Sequence, residues 1–279
     1  MKNLVIIGKV FPEPNSTAAG SRMIQLMDLF LTQNYQITFL STATISENSF
    51  DLSSKNISFQ NIVLNDSSFD ELIKNLNPEI VIFDRFTTEE QFGWRVSEQV
   101  PNAVKILDTE DLHFLRTARE KAFKQNRNLE HLDLINDVFK REIASILRCD
   151  LSLIISEFEM NLLIEKFKID ENILFYLPLF GEVKKPETSF SERKNFISIG
   201  NFLHEPNWQT VLQLKKLWKN IKNQLPEAEI HIYGAYASEK VFQLHNEKEG
   251  FIIKGRAESV ETVFNTAKVL LAPIPFGAG

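Results

Sequence analysis

Short runs of β-branched and aromatic residues recur along the chain, each ending in a polar residue or glycine and each followed by a longer stretch with helical spacing. That alternation is the pattern of a parallel sheet wrapped by helices, since each parallel strand must return through a crossover that covers a sheet face. The first strand is expected at residues 3–8. A loop holding Pro12 and Pro14 then leads into a helix whose Met23, Leu26, Met27, Phe30 and Leu31 fall at i, i+3, i+4, i+7 and i+8. Further strands are expected at 36–40, 57–64, 79–84, 103–108, 151–155 and 172–177. Helices are expected around 69–75 and 88–99, in one long charged segment ending at 147, and at 157–167.

The segment around 182–194 is poor in apolar residues and carries Lys184, Lys185, Pro186 and Glu187, so it reads as a linker between a domain at 1–181 and a second at 195–279. The alternation then restarts with a strand at 196–200, a helix at 206–221, strands at 229–234 and 250–253, a helix at 258–267 and a strand at 269–273. A sheet of about four parallel strands with two or three helices is a marginal unit, and the sequence ends in a glycine-bearing loop that should open a helix. The second domain is therefore expected to be incomplete, the chain being a C-terminally truncated form of a longer one.

Composition removes several classes. A net charge of −6 provides no general attraction to a polyanion, so nucleic acid is not expected as a partner. Phe supplies 23 of the rings against four Tyr and three Trp, which suits core filling more than stacking platforms. Cys149 is the lone cysteine, so an internal disulfide is impossible, and it reads as a small buried hydrophobe. The apolar run at the N-terminus is only Leu4 to Ile7, too short for a signal-peptide core, and no stretch is long enough to span a bilayer. A cytoplasmic protein is expected, with peripheral membrane contact left open.

In doubly wound sheets ligands bind beyond the carboxyl ends of the strands, where helix N-termini offer free N–H groups. The first exit lacks the G-x-G-x-x-G fingerprint and a Walker lysine, but small residues lead to Gly20 and Arg22, where a backbone could approach a sugar or phosphate. A plain helix cap explains the same residues. The exits after the fourth and fifth strands are denser. One carries Asp84 and Arg85; the other carries Asp108, Glu110, Asp111 and His113, with Arg116 a turn later. On a helix starting near Thr109, Glu110, His113 and Arg116 would lie three apart on one face, able to position a hydroxyl or accept its proton. A cap and surface ion pairs are the alternative for any one of them.

Other chemistries find little footing. The five histidines include no i, i+4 pair, and H-E-x-x-H and Asp-x-Asp are both missing, so a dedicated metal site is not expected. G-x-S-x-G is absent as well, which leaves a serine hydrolase without its nucleophile turn. In the second half, Gly200 permits close backbone approach and Pro206 suits the first turn of the following helix.

Taken together, two nucleotide-fold halves and these strand-exit motifs resemble a glycosyltransferase of the GT-B architecture, in the retaining family 4 group. The resemblance is carried by Asp84-Arg85-Phe86 and Asp108-Thr109-Glu110-Asp111-Leu112-His113 in the first half. In the second it is carried by Ser198-Ile199-Gly200-Asn201, Pro206-Asn207, residues 229–234, residues 255–258, Ala272-Pro273 and Phe276-Gly277-Ala278-Gly279, in the family's order. It implies an α/β fold of two Rossmann-like domains, with a nucleotide diphosphate sugar held by the second and a glycan, lipid or protein acceptor held mainly by the first, across the cleft between them. The catalytic positions it implies are His113, Asp111 and Glu110, with His113 orienting the acceptor while the leaving phosphate draws its proton. Acceptor contacts fall to Gly20, Arg22, Asp84, Arg85, Asp108 and Arg116. Donor contacts fall to Gly200, Asn201, His204, Asn207, Gly234, Arg256, Phe276, Gly277, Ala278 and Gly279. Neither a cofactor nor a bound metal is implied.

Two departures from the family pattern bear on activity. No cation follows the second domain's first strand until Lys215, so Arg256 or His204 is left to meet the pyrophosphate. The family's donor-binding Lys and Glu after its Phe-Gly-x-Gly loop are missing, which leads to the expectation that this chain alone binds donor weakly and is inactive. Two alternatives stand beside transfer: a nucleotide-sugar 2-epimerase of the same architecture, and a non-catalytic sugar- or nucleotide-binding protein.

Overall fold

A computed structural model of the chain describes residues 2–181 and 187–278. Two compact units are present: residues 1–14, 19–180 and 277–279 form one, and residues 15–18 and 181–276 the other.

The first unit is a seven-stranded parallel sheet, β1 (Lys2–Gly8), β2 (Tyr35–Ser41), β3 (Ser58–Asn61), β4 (Ile80–Asp84), β5 (Val104–Asp108), β6 (Leu151–Ile154) and β7 (Leu174–Tyr176), in the order β3-β2-β1-β4-β5-β6-β7. Its crossovers carry α1 (Ala18–Thr32), α2 (Ser68–Leu76), α3 (Phe86–Gln99), α4 (His113–Lys124), α5 (His131–Leu134), α6 (Asp137–Arg148) and α7 (Glu157–Asn161). The continuous apolar run in β1 follows from burial of both sheet faces. Val5 and Ile7 join Val81, Phe83 and Leu107 on one side, while Leu4 and Ile6 join Ile82 and Ile106 on the other. Cys149 is buried, and burial pushes its thiol well above the ordinary range, so it behaves as the small hydrophobe expected.

Three local expectations give way. The long charged helix ending near 147 is three helices, because Asn126 adopts φ 50°, Glu130 and Asp133 form a capping box at α5, and Asn136 accepts from Phe139 N at 2.9 Å to start α6. The expected strand 57–64 shrinks to Ser58–Asn61, since β2 pairs with it only over Thr38 to Ser41. The segment 157–167 begins as α7 and widens into a π-turn over Leu162–Lys166.

The second unit holds a four-stranded parallel sheet, β8 (Lys194–Ile199), β9 (Ile230–Tyr233), β10 (Phe251–Gly255) and β11 (Ala267–Leu270), in the order β10-β9-β8-β11. Helix α8 (Glu205–Gln224) carries Pro206 in its first turn and lays Val211, Leu214 and Trp218 on Ile230, Ile232, Phe251 and Ile253. Trp218 donates its indole N–H to Glu249 O at 2.7 Å, which satisfies the one polar atom of that ring. Short helices α9 (Glu239–Phe242) and α10 (Val260–Thr266) complete it. The last strand begins two residues earlier than expected, as Ala267 pairs with Lys194 and Ser259 starts α10 late by capping Thr262 N. Of the expected linker 182–194, residues 182–186 lie outside the described residues; Arg193 ties the remainder together by donating to Thr188 O.

Candidate functional site

In the first unit the strand order reverses direction between β1 and β4, the switch point where doubly wound sheets form a crevice. Asp84 and Asp108 end β4 and β5 as register partners, so their side chains leave the same side of the sheet. Asp84 Oδ2 accepts from Lys9 N at 3.1 Å, spanning the switch point, and from Arg85 Nη1 at 2.9 Å. Its Oδ1 is buried with no partner among the described residues. Arg85 has φ 70° and ψ 155°, a region that suits glycine, and its N–H donates to Asp108 O at 2.8 Å. Burial opposes the charge of this guanidinium, yet Asp84, Glu110, Asp111 and Asp108 together hold its pKa above the ordinary value.

Asp108 is tied to Arg22, whose Nε lies 3.0 Å from Oδ1 and whose Nη1 donates to Leu177 O at 2.9 Å. Neither side chain of the pair has exposed surface. The expected acceptor contacts at these two positions are thus replaced by a strut within the fold. Gly20, also expected at the acceptor, is packed against its own loop: a Cβ there would lie 2.5 Å from the Glu13 backbone.

The helix expected from Thr109 begins instead at His113, and Glu110 sits in the preceding loop with φ 64°. Glu110, His113 and Arg116 therefore do not share a helical face. Burial, then the charges of Asp108 and Asp84, push the Glu110 carboxyl up to about 8. Asp111 pairs with Arg116, whose Nη1 lies 2.7 Å from Oδ1.

Two buried glutamates that the sequence reading passed over occupy the N-terminus of α4. Glu159, from α7, accepts from Leu112 N at 2.8 Å. Glu142, from α6, accepts from His113 N at 3.1 Å and Phe114 N at 3.0 Å. The free N–H groups that would otherwise bind an anion are satisfied by the protein's own carboxylates. Burial raises the Glu159 carboxyl to about 7, against the lowering effect of its bond to Leu112. His113 Nδ1 lies 3.0 Å from Asp111 O and 3.2 Å from Glu142 Oε1. The Phe86 ring packs on the imidazole in a T-shaped contact, centroids 5.3 Å apart. Lys9 reaches the same exit, its ammonium lowered by partial burial and by the Arg85 charge.

Both missed glutamates left a trace. Glu142 stands four residues after Val138 and four before Ile146, on the apolar stripe of α6, a place where a carboxylate needs a reason. Glu159 stands three after Ser156 and reads as an ordinary capping box, which conceals that its carboxylate serves another helix.

In the second unit, Gly200 follows β8 and lines a small cleft with Ser198, Phe202, Asn207 and Tyr233, with a cavity of about 20 Å³. The two glycines expected to let a donor approach are approached by the protein itself. A Cβ on Gly200 would lie 2.7 Å from Asn207 Cγ, and one on Gly234 would lie 2.2 Å from the Phe202 ring. Asn207 Nδ2 donates to Asn201 O at 3.0 Å and Asn201 Oδ1 accepts from Leu203 N at 2.8 Å, while His204 precedes the first turn of α8. Arg256 is exposed just after β10, with no ion pair among the described residues. Phe276 is buried. Gly277 and Ala278 group with the first unit, where Gly277 O accepts from Arg119 at 2.8 Å and Ala278 packs on the core; Gly279 lies outside the described residues.

No protein-family model matches the chain, and no curated protein matches it in sequence. Solved structures do match in shape. TarM superposes with a TM-score of 0.69 at 8% identity, covering 97% of this chain and 80% of its own. Sucrose-phosphate synthase from Thermosynechococcus elongatus gives 0.65 at 12%, covering 99% and 77%. The UDP-GlcNAc 2-epimerase from Methanocaldococcus jannaschii gives 0.53 at 12%, covering 97% and 78%. The chain has the α/β, two-domain Rossmann-like fold of GT-B glycosyltransferases, a fold these epimerases share. Among the described residues no helix is long and apolar enough to cross a membrane.

Proposed function

We propose that the chain serves transfer of a sugar from a nucleotide diphosphate sugar to an acceptor hydroxyl, as a family 4 type glycosyltransferase acting with retention and without a bound metal. The observation that carries this reading is the convergence of Asp84, Arg85, Glu110, Asp111, His113 and Arg116 at the first unit's switch point, on a fold whose structural neighbours include glycosyltransferases. Such a set offers acceptors and donors for a polyol within one crevice, and the His113 imidazole is a group able to accept or donate a hydrogen bond to one hydroxyl. Arg22, Asp108 and Gly20 are then supports of that crevice and make no acceptor contact themselves. Donor binding falls to the second unit, where the β8 exit at Gly200 and Asn201 faces the first turn of α8 and Arg256 offers a cation. The acceptor is a glycan, lipid or protein bearing a hydroxyl.

The test is thermal shift of the protein against a panel of nucleotide diphosphate sugars, beginning with UDP-GlcNAc, because a ligand that binds the native state raises the melting temperature by mass action. This chain alone is expected to bind donor weakly and to be inactive, so a small stabilisation by one nucleotide sugar is expected of it, and transfer to an added acceptor only of a form that carries the family's donor-binding Lys and Glu. A flat response across the panel would remove the reading. The likeness to a UDP-GlcNAc 2-epimerase supports epimerisation as the second reading. It requires epimerised free nucleotide sugar to accumulate with no acceptor present.

A further inference from the structure

We propose that Glu142 is a positioning residue for His113, holding the imidazole in the tautomer that carries its proton on Nδ1 and so directing the Nε2 lone pair at the acceptor hydroxyl. The second part rests on the glycosyl-transfer reading; the tautomer itself does not.

Nδ1 lies 3.0 Å from the Asp111 main-chain oxygen, 3.2 Å from Glu142 Oε1 and 3.5 Å from Asp111 Oδ1. All three neighbours only accept hydrogen bonds, so the contacts are favourable only with a proton on Nδ1. A neutral ring then has its lone pair on Nε2, for which no partner occurs among the described residues. A ring in this tautomer accepts a hydrogen bond from a hydroxyl and aims that oxygen's own lone pair, whereas the opposite tautomer would present a donor to it.

Glu142 is suited to impose this because it cannot turn. Its side chain has no exposed surface, and its two oxygens are taken by the N–H groups of His113 and Phe114 at the start of α4. One carboxylate thus fixes the backbone that carries His113 and the ring itself. The Phe86 ring, itself in contact with the Arg141 guanidinium, packs roughly perpendicular to the imidazole and limits its rotation. Carboxylate and imidazole come from α6 and α4, the two residues 29 apart in sequence, so the packing of these helices creates the pair.

The full chain labelled with ¹⁵N-histidine, studied by long-range ¹H–¹⁵N correlation NMR at a pH where the ring is neutral, tests this. His113 is assigned by the signal lost in His113→Gln. The wild-type ring is expected as Nδ1–H. In Glu142→Gln, whose amide can turn a donor toward Nδ1, the Nδ1–H to Nε2–H ratio is expected to fall roughly tenfold or more, the loss of one charge-assisted hydrogen bond. Amide exchange across α4 reports separately whether the cap survives. Should that variant fail to fold, Glu142→Asp replaces it, with a smaller fall expected from a carboxylate one methylene short. A wild-type Nε2–H ring, or an unchanged ratio in the folded variant, overturns the proposal. Failure of every nucleotide sugar to bind would instead remove the transfer reading and leave the tautomer result standing.

Discussion

Arg22 reaches from α1 to Asp108 at the end of β5 and closes an ion pair with no exposed side-chain surface, so two charges sit inside the fold at the strand exit that leads to His113. Removing one partner leaves the other buried and uncompensated, a loss of about 3–5 kcal/mol. Arg22→Ala and Asp108→Asn are each expected to lower stability by that order in urea denaturation. A loss below about 1 kcal/mol in both would mean that water reaches the pair.

Glu110 sets a pH dependence of definite sign. Its folded-state value is raised from 4.5 to about 8, so the native state holds a proton that the unfolded chain releases, and stability falls as pH rises between those values. Glu110→Gln should match wild type in melting temperature near pH 4 and exceed it at pH 9. Part of the slope will remain below pH 7, because Glu159 is raised to about 7 and acts with the same sign. Parallel pH profiles for variant and wild type would show that Glu110 is ionised in the native state at neutral pH.

Arg85 stores backbone strain at φ 70°, ψ 155°. Arg85→Ala and Arg85→Gly both lose the bond to Asp84, but only glycine relaxes this conformation. The glycine variant is therefore expected to be more stable than the alanine variant by roughly 1 kcal/mol or more, measured by thermal denaturation. Equal stability would show that the loop can relax to another conformation.

Gly20 is a packing position. A Cβ there would meet the Glu13 backbone at 2.5 Å, and backbone atoms cannot move aside as a flexible side chain can. Gly20→Ala should cost about 1–3 kcal/mol on unfolding, whether or not an acceptor is present. An alanine variant of unchanged stability but weakened acceptor binding would return Gly20 to the acceptor site.

The transfer reading makes its own demand on His113. If that ring orients the acceptor, then in a form that carries the family's donor-binding Lys and Glu, His113→Ala should lower sugar transfer about a hundredfold while donor hydrolysis by water changes far less. Equal loss in both would take His113 out of the acceptor site. Addition of Mg²⁺ or of a chelator should change either rate little.

The period of the apolar runs determined the two parallel sheets, because a strand buried on both faces must be apolar at consecutive positions and its crossover must repeat at helical spacing; Leu4 to Ile7 followed by Met23 to Leu31 shows both in one unit. It also located the strand exits that carry Asp84, Asp108 and His113, since those exits follow from the runs alone. What each residue touches was decided in three dimensions. Gly200 and Gly234 look open to a ligand in sequence, yet Asn207 and Phe202 fill the space, and Arg22 looks available until Asp108 meets it in the core. Glu142 lies 29 residues from His113, and nothing local sets that distance. Periodicity reports which side of an element is buried, whereas a cap or an ion pair between elements depends on how α4, α6 and α7 pack, and that is settled by the summed contacts of the whole unit.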